Sequence, residues 1–273
     1  MGAYLVEREL GRGAMGSVFL ARDTGLDRPT ALKFLAMELL ADHDALERFV
    51  RECQILARLR PHPNLVSVYA RGELDGVPYF AMEYVDGPSV KDLLARTGRL
   101  AVPRAAALGL QAAQALSFVW AEATLVHRDV KPSNMMLDRN ERLVKVTDFG
   151  LAKPRTGGAT DLTRSGVILG TPDYLAPEQA RAERNLDFRT DIYALGATLF
   201  HLVAGHPPFH GGSLAEVVSA HLKVEAPRLS SQARNVPAEL DELVASMLAK
   251  RPTDRPSSYD EIITILTGLA SQH

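Results

Sequence analysis

His127-Arg128-Asp129-Val130-Lys131-Pro132-Ser133-Asn134 gathers an imidazole, two cations, a carboxylate and an amide into eight residues. The Asp129 carboxylate can orient a hydroxyl and accept its proton. The Lys131 ammonium can neutralise charge on a phosphoryl group in flight. The Asn134 amide offers a hard oxygen to Mg2+. A polar loop without function is the plain alternative, and the sequence downstream counts against it. Nineteen residues after Asp129, a strand-like run over Leu143–Thr147 delivers Asp148-Phe149-Gly150. A carboxylate at a strand end suits a magnesium ligand.

Upstream lies Leu10-Gly11-Arg12-Gly13-Ala14-Met15-Gly16-Ser17-Val18. Its G-x-G-x-x-G spacing lets backbone N–H groups approach phosphate oxygens with no Cβ in the way. The same spacing occurs in dinucleotide-binding folds, where a helix follows the last glycine. Here the strand-like Val18-Phe19-Leu20-Ala21 follows, which leaves a glycine-rich hairpin turn, with or without a ligand. Lys33, in Thr30-Ala31-Leu32-Lys33-Phe34, could be an ordinary surface lysine at a strand end. Glu52 changes that reading. It occupies a gap in the apolar stripe of Phe49, Leu56 and Leu59, and a carboxylate there is costly without a partner. Lys33 on the adjacent strand would supply one, and the pair would hold the ammonium ready for nucleotide phosphates. An exposed glutamate on a misphased helix is the alternative. Gly170 to Glu178 reads from composition only as a turn-rich loop running into a helix.

The organisation around these residues changes at Asp86-Gly87-Pro88. Before it, strands are expected over residues 4–6, 18–21, 30–35, 65–71 and 77–83. One helix, over 44–60, is expected with Asp44 as N-cap and Glu47 completing a capping box. Pro61 and Pro63 end it. After the break, helices are expected over 105–120, 188–204, 213–223, 238–249 and 258–269. Two short strands, 135–137 and 143–147, flank the turn at Asp138-Arg139-Asn140. Residues 151–171 carry many Gly, Ser, Thr and Arg with little periodicity, the mark of a long functional or disordered loop.

Composition removes several other classes. A net charge of −2 gives no global basic excess for nucleic acid or an anionic membrane. The single cysteine, Cys53, forbids an intrachain disulfide and a zinc cluster, fits a reducing compartment, and reads as a plain helix residue. No apolar run approaches the roughly 18 residues of a membrane span. Met1-Gly2 opens no myristoylation motif, because Val6 stands where Ser or Thr is needed.

Taken in order, the glycine turn, Lys33, Glu52, the His127–Asn134 loop, Asp148-Phe149-Gly150 and Ala176-Pro177-Glu178 resemble the protein kinase superfamily over nearly the whole chain. Gly13–Val18, His127–Asn134 and Tyr174–Ala180 are similar to bacterial Hanks-type serine/threonine kinases. The resemblance implies an α+β, two-lobed protein kinase fold. A small antiparallel β-sheet lobe with one main helix would span 1–84, and a larger, mostly helical lobe 85–273, with an activation segment over 148–178. It implies ATP as substrate and Mg2+ as cofactor, with Mn2+ as a substitute.

The family's roles carry over by position. Leu10 to Val18 would cover the ATP phosphates, and Lys33 would contact them and pair with Glu52. Val18 and Ala31 would touch adenine, with Met136 beneath it. Met82 would be the gatekeeper, and Glu83 to Val85 the hinge. Asp129 would be the catalytic aspartate, assisted by Lys131, while Asn134 and Asp148 would hold the metal. His127 and Phe149 would belong to an apolar spine. Glu178 would pair with Arg255, and Asp191 would anchor the catalytic loop. Lys131 and Gly170-Thr171 resemble the serine/threonine branch, so protein Ser/Thr hydroxyls are the expected acceptors.

Arg128 can pair with a phosphorylated activation loop, which offers Thr160, Thr163 and Ser165. Thr163 and Ser165 are the expected autophosphorylation sites. The resemblance also implies a cytoplasmic location, as a free domain or as the cytoplasmic part of a longer membrane-anchored protein. Trp120 to Thr124 departs from the family's His-x-x-Gly approach to the catalytic loop, which affects packing rather than chemistry. A pseudokinase would have lost Lys33, Asp129 or Asp148. A small-molecule phosphotransferase would lack the Gly170–Glu178 segment.

Overall fold

The computed structural model describes residues 3–13, 16–40, 43–149 and 172–271, without the side chains at 38, 44, 45, 48 and 52. The small lobe is a five-stranded antiparallel sheet in the order β1-β2-β3-β5-β4. Its strands are β1 (Tyr4–Gly13), β2 (Gly16–Asp23), β3 (Arg28–Leu35), β4 (Val68–Leu74) and β5 (Val77–Glu83). Alternation decides which side chains go where. Ala21, Leu32 and Ala81 are buried under Tyr4, Phe34 and Tyr79 on one face. Leu35 and Phe80 face the other way, onto α2 (His43–Arg58), which follows the single turn α1 (Met37–Leu40).

Helix α2 packs on this cluster with Phe49 and Cys53, one turn apart, and with Leu56, and Leu59 joins it just past the helix end. The cluster continues into the large lobe through Phe118, Val119 and Phe149, so α2 is packed against both lobes.

The large lobe holds α3 (Val90–Thr97), α4 (Val102–Ala123), α5 (Pro177–Ala180), α6 (Phe188–Ala204), α7 (Leu214–Lys223), α8 (Ala238–Met247) and α9 (Tyr259–Ala270). A two-stranded sheet, β6 (Met135–Leu137) with β7 (Val144–Val146), lies between α4 and the small lobe. Alanines and Gly109 on α4 let α6 come close: a Cβ at Gly109 would stand 2.5 Å from Leu199 Cδ2. Helix α6 is buried almost along its whole length. Among the described residues, no helix is long and apolar enough to cross a membrane.

Several local expectations differ from the structure. The first strand runs on to Gly13 instead of ending at Val6, because its main chain continues the ladder with β2. Helix α2 starts at His43, so Asp44 falls inside its first turn and is not the cap. The fourth strand starts at Val68, not Leu65, because the preceding residues pair with β7 instead: Val146 donates to Asn64 O and Val66 donates to Val146 O. Helix α4 runs beyond both expected ends, from Val102 to Ala123. Helix α3 lies in a stretch given no element, and Ser89 and Asp92 form a full capping box at its start. At the departure noted above, Thr124 caps α4 in the left-handed region at φ 50°, and Trp120 packs its ring on Phe188 at 5.3 Å.

Candidate active site

The catalytic loop descends from α4 and runs into a 3-10 turn at Pro132–Asn134. Side chains from elsewhere in the large lobe hold its backbone. Asp191, near the start of α6, accepts the N–H of His127 at 2.7 Å and that of Arg128 at 2.8 Å. Burial pushes Asp191 up to about 7, against the two backbone donors and the Arg128 charge, which favour the anion. His127 is fully buried. Its Nδ1 accepts the Asp129 N–H, which leaves Nε2 to donate to Thr147 O at 3.0 Å. Its ring centroid sits 4.2 Å from that of Phe149.

Around the Asp129 carboxylate, Lys131 Nζ lies 2.9 Å from Oδ2, and Asn134 Nδ2 donates to Oδ2 at 3.0 Å and to the Asp129 carbonyl at 2.8 Å. Asn134 Nδ2 also lies 3.5 Å from the Asp148 carbonyl. Asp148 adopts φ 56°, the left-handed region, at the end of β7. Its Oδ1 receives Lys33 Nζ at 2.5 Å, across the seam between the lobes. Asp129, Lys131, Asn134, Asp148 and Lys33 thus form one connected polar network. The carboxylate of Asp148 and the amide oxygen of Asn134, whose nitrogen does the donating, are oxygen ligands of the kind Mg2+ uses beside phosphates. The expected Lys33–Glu52 pair falls on a side chain outside the described residues.

The register of the small sheet places the remaining residues. Val18 stands opposite Lys33, and Ala31 opposite Met82. Met82, Lys33, Asp148 and Phe149 border a cavity of about 30 Å³ that reaches α2 at Cys53 and Leu56. Glu83 turns its carboxylate away to Lys145 Nζ at 2.8 Å and to the Ser67 N–H at 3.2 Å. Val85 accepts the Gly87 N–H, and the chain then crosses β6 so closely that a Cβ at Gly87 would meet Leu137 O at 2.2 Å. Met136 bridges to Ser89 there.

In the glycine turn, Leu10, Gly11, Arg12 and Gly13 are exposed on β1, and Arg12 pairs with Glu9 at 3.1 Å. Ser17 pairs with Phe34 in the ladder. Gly16 is required by the fold itself: at φ 139°, a Cβ would lie 1.8 Å from Phe34 O. A Cβ at Gly11 or Gly13 would meet nothing within 4 Å. Among the described residues, their smallness answers to no neighbour. Ala14 and Met15 lie outside the described residues.

Beside the catalytic loop, Glu178 and Arg255 form a buried two-pronged ion pair at 2.7 and 2.8 Å, and Thr190 Oγ1 adds a bond to Glu178. Arg255 also donates to the carbonyls of Arg189 and Ala249. Gln179 was not singled out from sequence, yet it joins this platform to the catalytic loop by donating to Arg128 O at 2.9 Å. The Lys145–Glu83 pair was missed as well. Thr160, Thr163, Ser165, Gly170 and Thr171 lie outside the described residues.

A family model described as protein kinase domain matches residues 4–265. The serine/threonine-protein kinase PknB of Mycolicibacterium smegmatis is 40% identical over 263 residues, covering 95% of this chain and 41% of that protein. The serine/threonine-protein kinase pkn3 of Myxococcus xanthus is 42% identical over 266 residues, covering 94% of this chain and 48% of that protein. The chain spans less than half the length of these curated relatives. The crystal structure of the Mycobacterium tuberculosis PknI kinase domain superposes with a TM-score of 0.77 at 33% identity, covering 98% of this chain and 97% of that one. The two-lobed architecture, the ordered site and these likenesses agree: the chain belongs to the protein kinase family, in the branch of bacterial serine/threonine-protein kinases.

Proposed function

We propose that this chain transfers the γ-phosphoryl group of ATP to serine or threonine hydroxyls of proteins. Family membership implies use of ATP and a divalent cation, and Mg2+ is the cation this reading assigns, held by Asn134 and Asp148. When bound, the cation would neutralise phosphate charge. The observation that carries the reading is the connected network of Asp129, Lys131, Asn134, Asp148 and Lys33 at the seam of the lobes.

In this reading, the acceptor hydroxyl lies against the Asp129 carboxylate. As the oxygen bonds to the γ-phosphorus, the bond from phosphorus to the β,γ-bridging oxygen breaks and ADP leaves. The hydroxyl proton passes to Asp129. Lys131, already 2.9 Å from Asp129, is placed to meet the equatorial charge. Lys33 exchanges part of its contact with Asp148 for the α- and β-phosphates, and Glu52 holds it from α2. Gly11, Gly13 and Gly16, with Leu10, Arg12, Ala14, Met15, Ser17 and Val18, cover the phosphates. Adenine lies between Val18 with Ala31 above and Met136 below, beside Met82, Glu83 and Val85. The catalytic work is positioning and charge stabilisation.

The proposed lobes are 1–84 and 85–273, with the activation segment over 148–178. Autophosphorylation at Thr163 and Ser165 would activate the domain, and its place would be the cytoplasm. Incubation with γ-labelled ATP and Mg2+, followed by phosphoamino-acid analysis and mapping, tests the reading. Label on serine or threonine of the chain and of a generic basic protein is expected, with part of it between residues 151 and 171. Label on tyrosine, or tight ATP binding with no transfer, would contradict it.

A further inference from the structure

Arg128 sits at φ 66° in the left-handed region, which a side chain disfavours, so its surroundings must impose that conformation. Its peptide groups are held from two elements. Asp191 on α6 takes the Arg128 N–H, and Gln179 on α5 donates Nε2 to the Arg128 carbonyl at 2.9 Å. That carbonyl belongs to the peptide that leads directly into Asp129. The other end of the same side chain, Gln179 Oε1, accepts the Ala176 N–H at 3.1 Å. Ala176 immediately precedes α5, which Glu178 ties to Arg255. One amide therefore spans the end of the activation segment and the catalytic loop, residues 51 positions apart in the chain.

Granting the phosphotransfer reading above, we propose that Gln179 is a positioning residue that couples the substrate-side platform to the catalytic loop and so aims the Asp129 carboxylate. The chemistry asks for an amide. One end must donate to a carbonyl and the other must accept from an N–H, which glutamine does and an ionised glutamate cannot. In this arrangement, a displacement of Pro172–Ala176 reaches Asp129 through two hydrogen bonds, and a well-seated platform holds the base in register with the acceptor hydroxyl. Asp191 fixes the loop from the core, and Gln179 fixes it from the face where a protein substrate would lie.

The test uses the whole chain with ATP, Mg2+ and a protein substrate, comparing the native protein with Gln179→Glu and Gln179→Ala. Gln179→Glu keeps the acceptor for the Ala176 N–H but turns the donor to the Arg128 carbonyl into a carboxylate oxygen that repels it. A misplacement of about 1 Å costs about 100-fold, so kcat is expected to fall by about that factor in Gln179→Glu. The KM for ATP, the affinity for a fluorescent ATP analogue and the melting temperature should stay at native values. Gln179→Ala should show the same loss of kcat together with a raised KM for the protein substrate. An unchanged kcat in Gln179→Glu would overturn the positioning role. So would a loss of kcat that only follows a loss of melting temperature. A native protein that transfers no phosphate would instead sink the phosphotransfer reading, and this inference with it.

Discussion

The glycine turn of the small lobe and the catalytic loop of the large lobe hold their residues in opposite ways. Strand β1 is exposed from Leu5 to Gly13 and is kept in place by its main-chain ladder to β2, with register shifts at Val6/Arg8 and Glu9/Gly11. The catalytic loop is held by buried side chains: Asp191 accepts the N–H groups of His127 and Arg128, His127 Nδ1 accepts that of Asp129, and Asn134 fixes Asp129. In the proposed reaction, the difference follows from what each part would do. A cover for phosphates needs backbone N–H groups and open space. A proton acceptor needs a fixed direction, which packing and second hydrogen bonds supply. The small lobe gives reach, through Lys33, and the large lobe gives position.

That contrast can be broken or sharpened by substitution. Arg255 is 4% exposed and Glu178 is 3% exposed. Arg255→Ala leaves the Glu178 carboxylate buried and unpaired, and should cost about 3–5 kcal/mol in urea denaturation. An equal cost from removing the exposed Arg12–Glu9 pair would erase the distinction between the lobes.

Acid should act on the large lobe as well. Burial, with the neighbouring His206 and His210, pushes His201 down to about 4, and burial with Lys250 pushes His221 down to about 3. Both therefore give stability that is fully present above the ordinary histidine pKa of 6.5 and is lost as pH falls through their folded values. Asp191, raised by burial to about 7, works in the opposite sense. Its contribution is fully present below 3.8 and is lost as pH rises through about 7. Two histidines against one aspartate leave a net loss of about one proton's worth per pH unit as pH falls from 6.5 to about 4, and His221 alone carries the loss on to about 3. Urea midpoints measured against pH should show this, and His221→Gln should flatten the acid limb by on the order of a few kcal/mol.

The smallest effect concerns Thr124, a β-branched residue at φ 50° just before the loop. Thr124→Gly should relieve that strain and stabilise the chain by about 1 kcal/mol, read as a higher urea midpoint at unchanged slope. A destabilisation would show that the threonine side chain contributes more than its backbone costs.

Local pattern made much of this legible. Short apolar runs set off by turn residues marked the strands, and residue types at fixed spacing marked Lys33, Asp129, Asn134 and Asp148. What escaped was long-range or masked by a stronger signal. Asp86-Gly87-Pro88 read as a break and hid α3, although Ser89-x-x-Asp92 is a capping pattern in its own right. Leu65 and Val66 look like strand residues because they are apolar and extended, but their partner is Val146, which no local window contains. Gln179 and Lys145 find Arg128 and Glu83 across 51 and 62 positions. Nothing in the neighbourhood of either residue encodes such a bond. The resemblance named Asp191 and the Glu178–Arg255 pair as parts of the scaffold, and the structure shows both; the contacts of Gln179 and Lys145 that complete it were not visible.

The most direct measurement is kcat for phosphate transfer from ATP to a protein substrate, with Mg2+ present, by the native chain and by Asp129→Asn. If Asp129 accepts the hydroxyl proton, the variant should bind ATP as the native chain does and lose about 10²–10⁴-fold in kcat. Native turnover in Asp129→Asn would contradict the account, because the network fixed by Asp191, Asn134 and Lys131 would then be aimed at a group the reaction does not need.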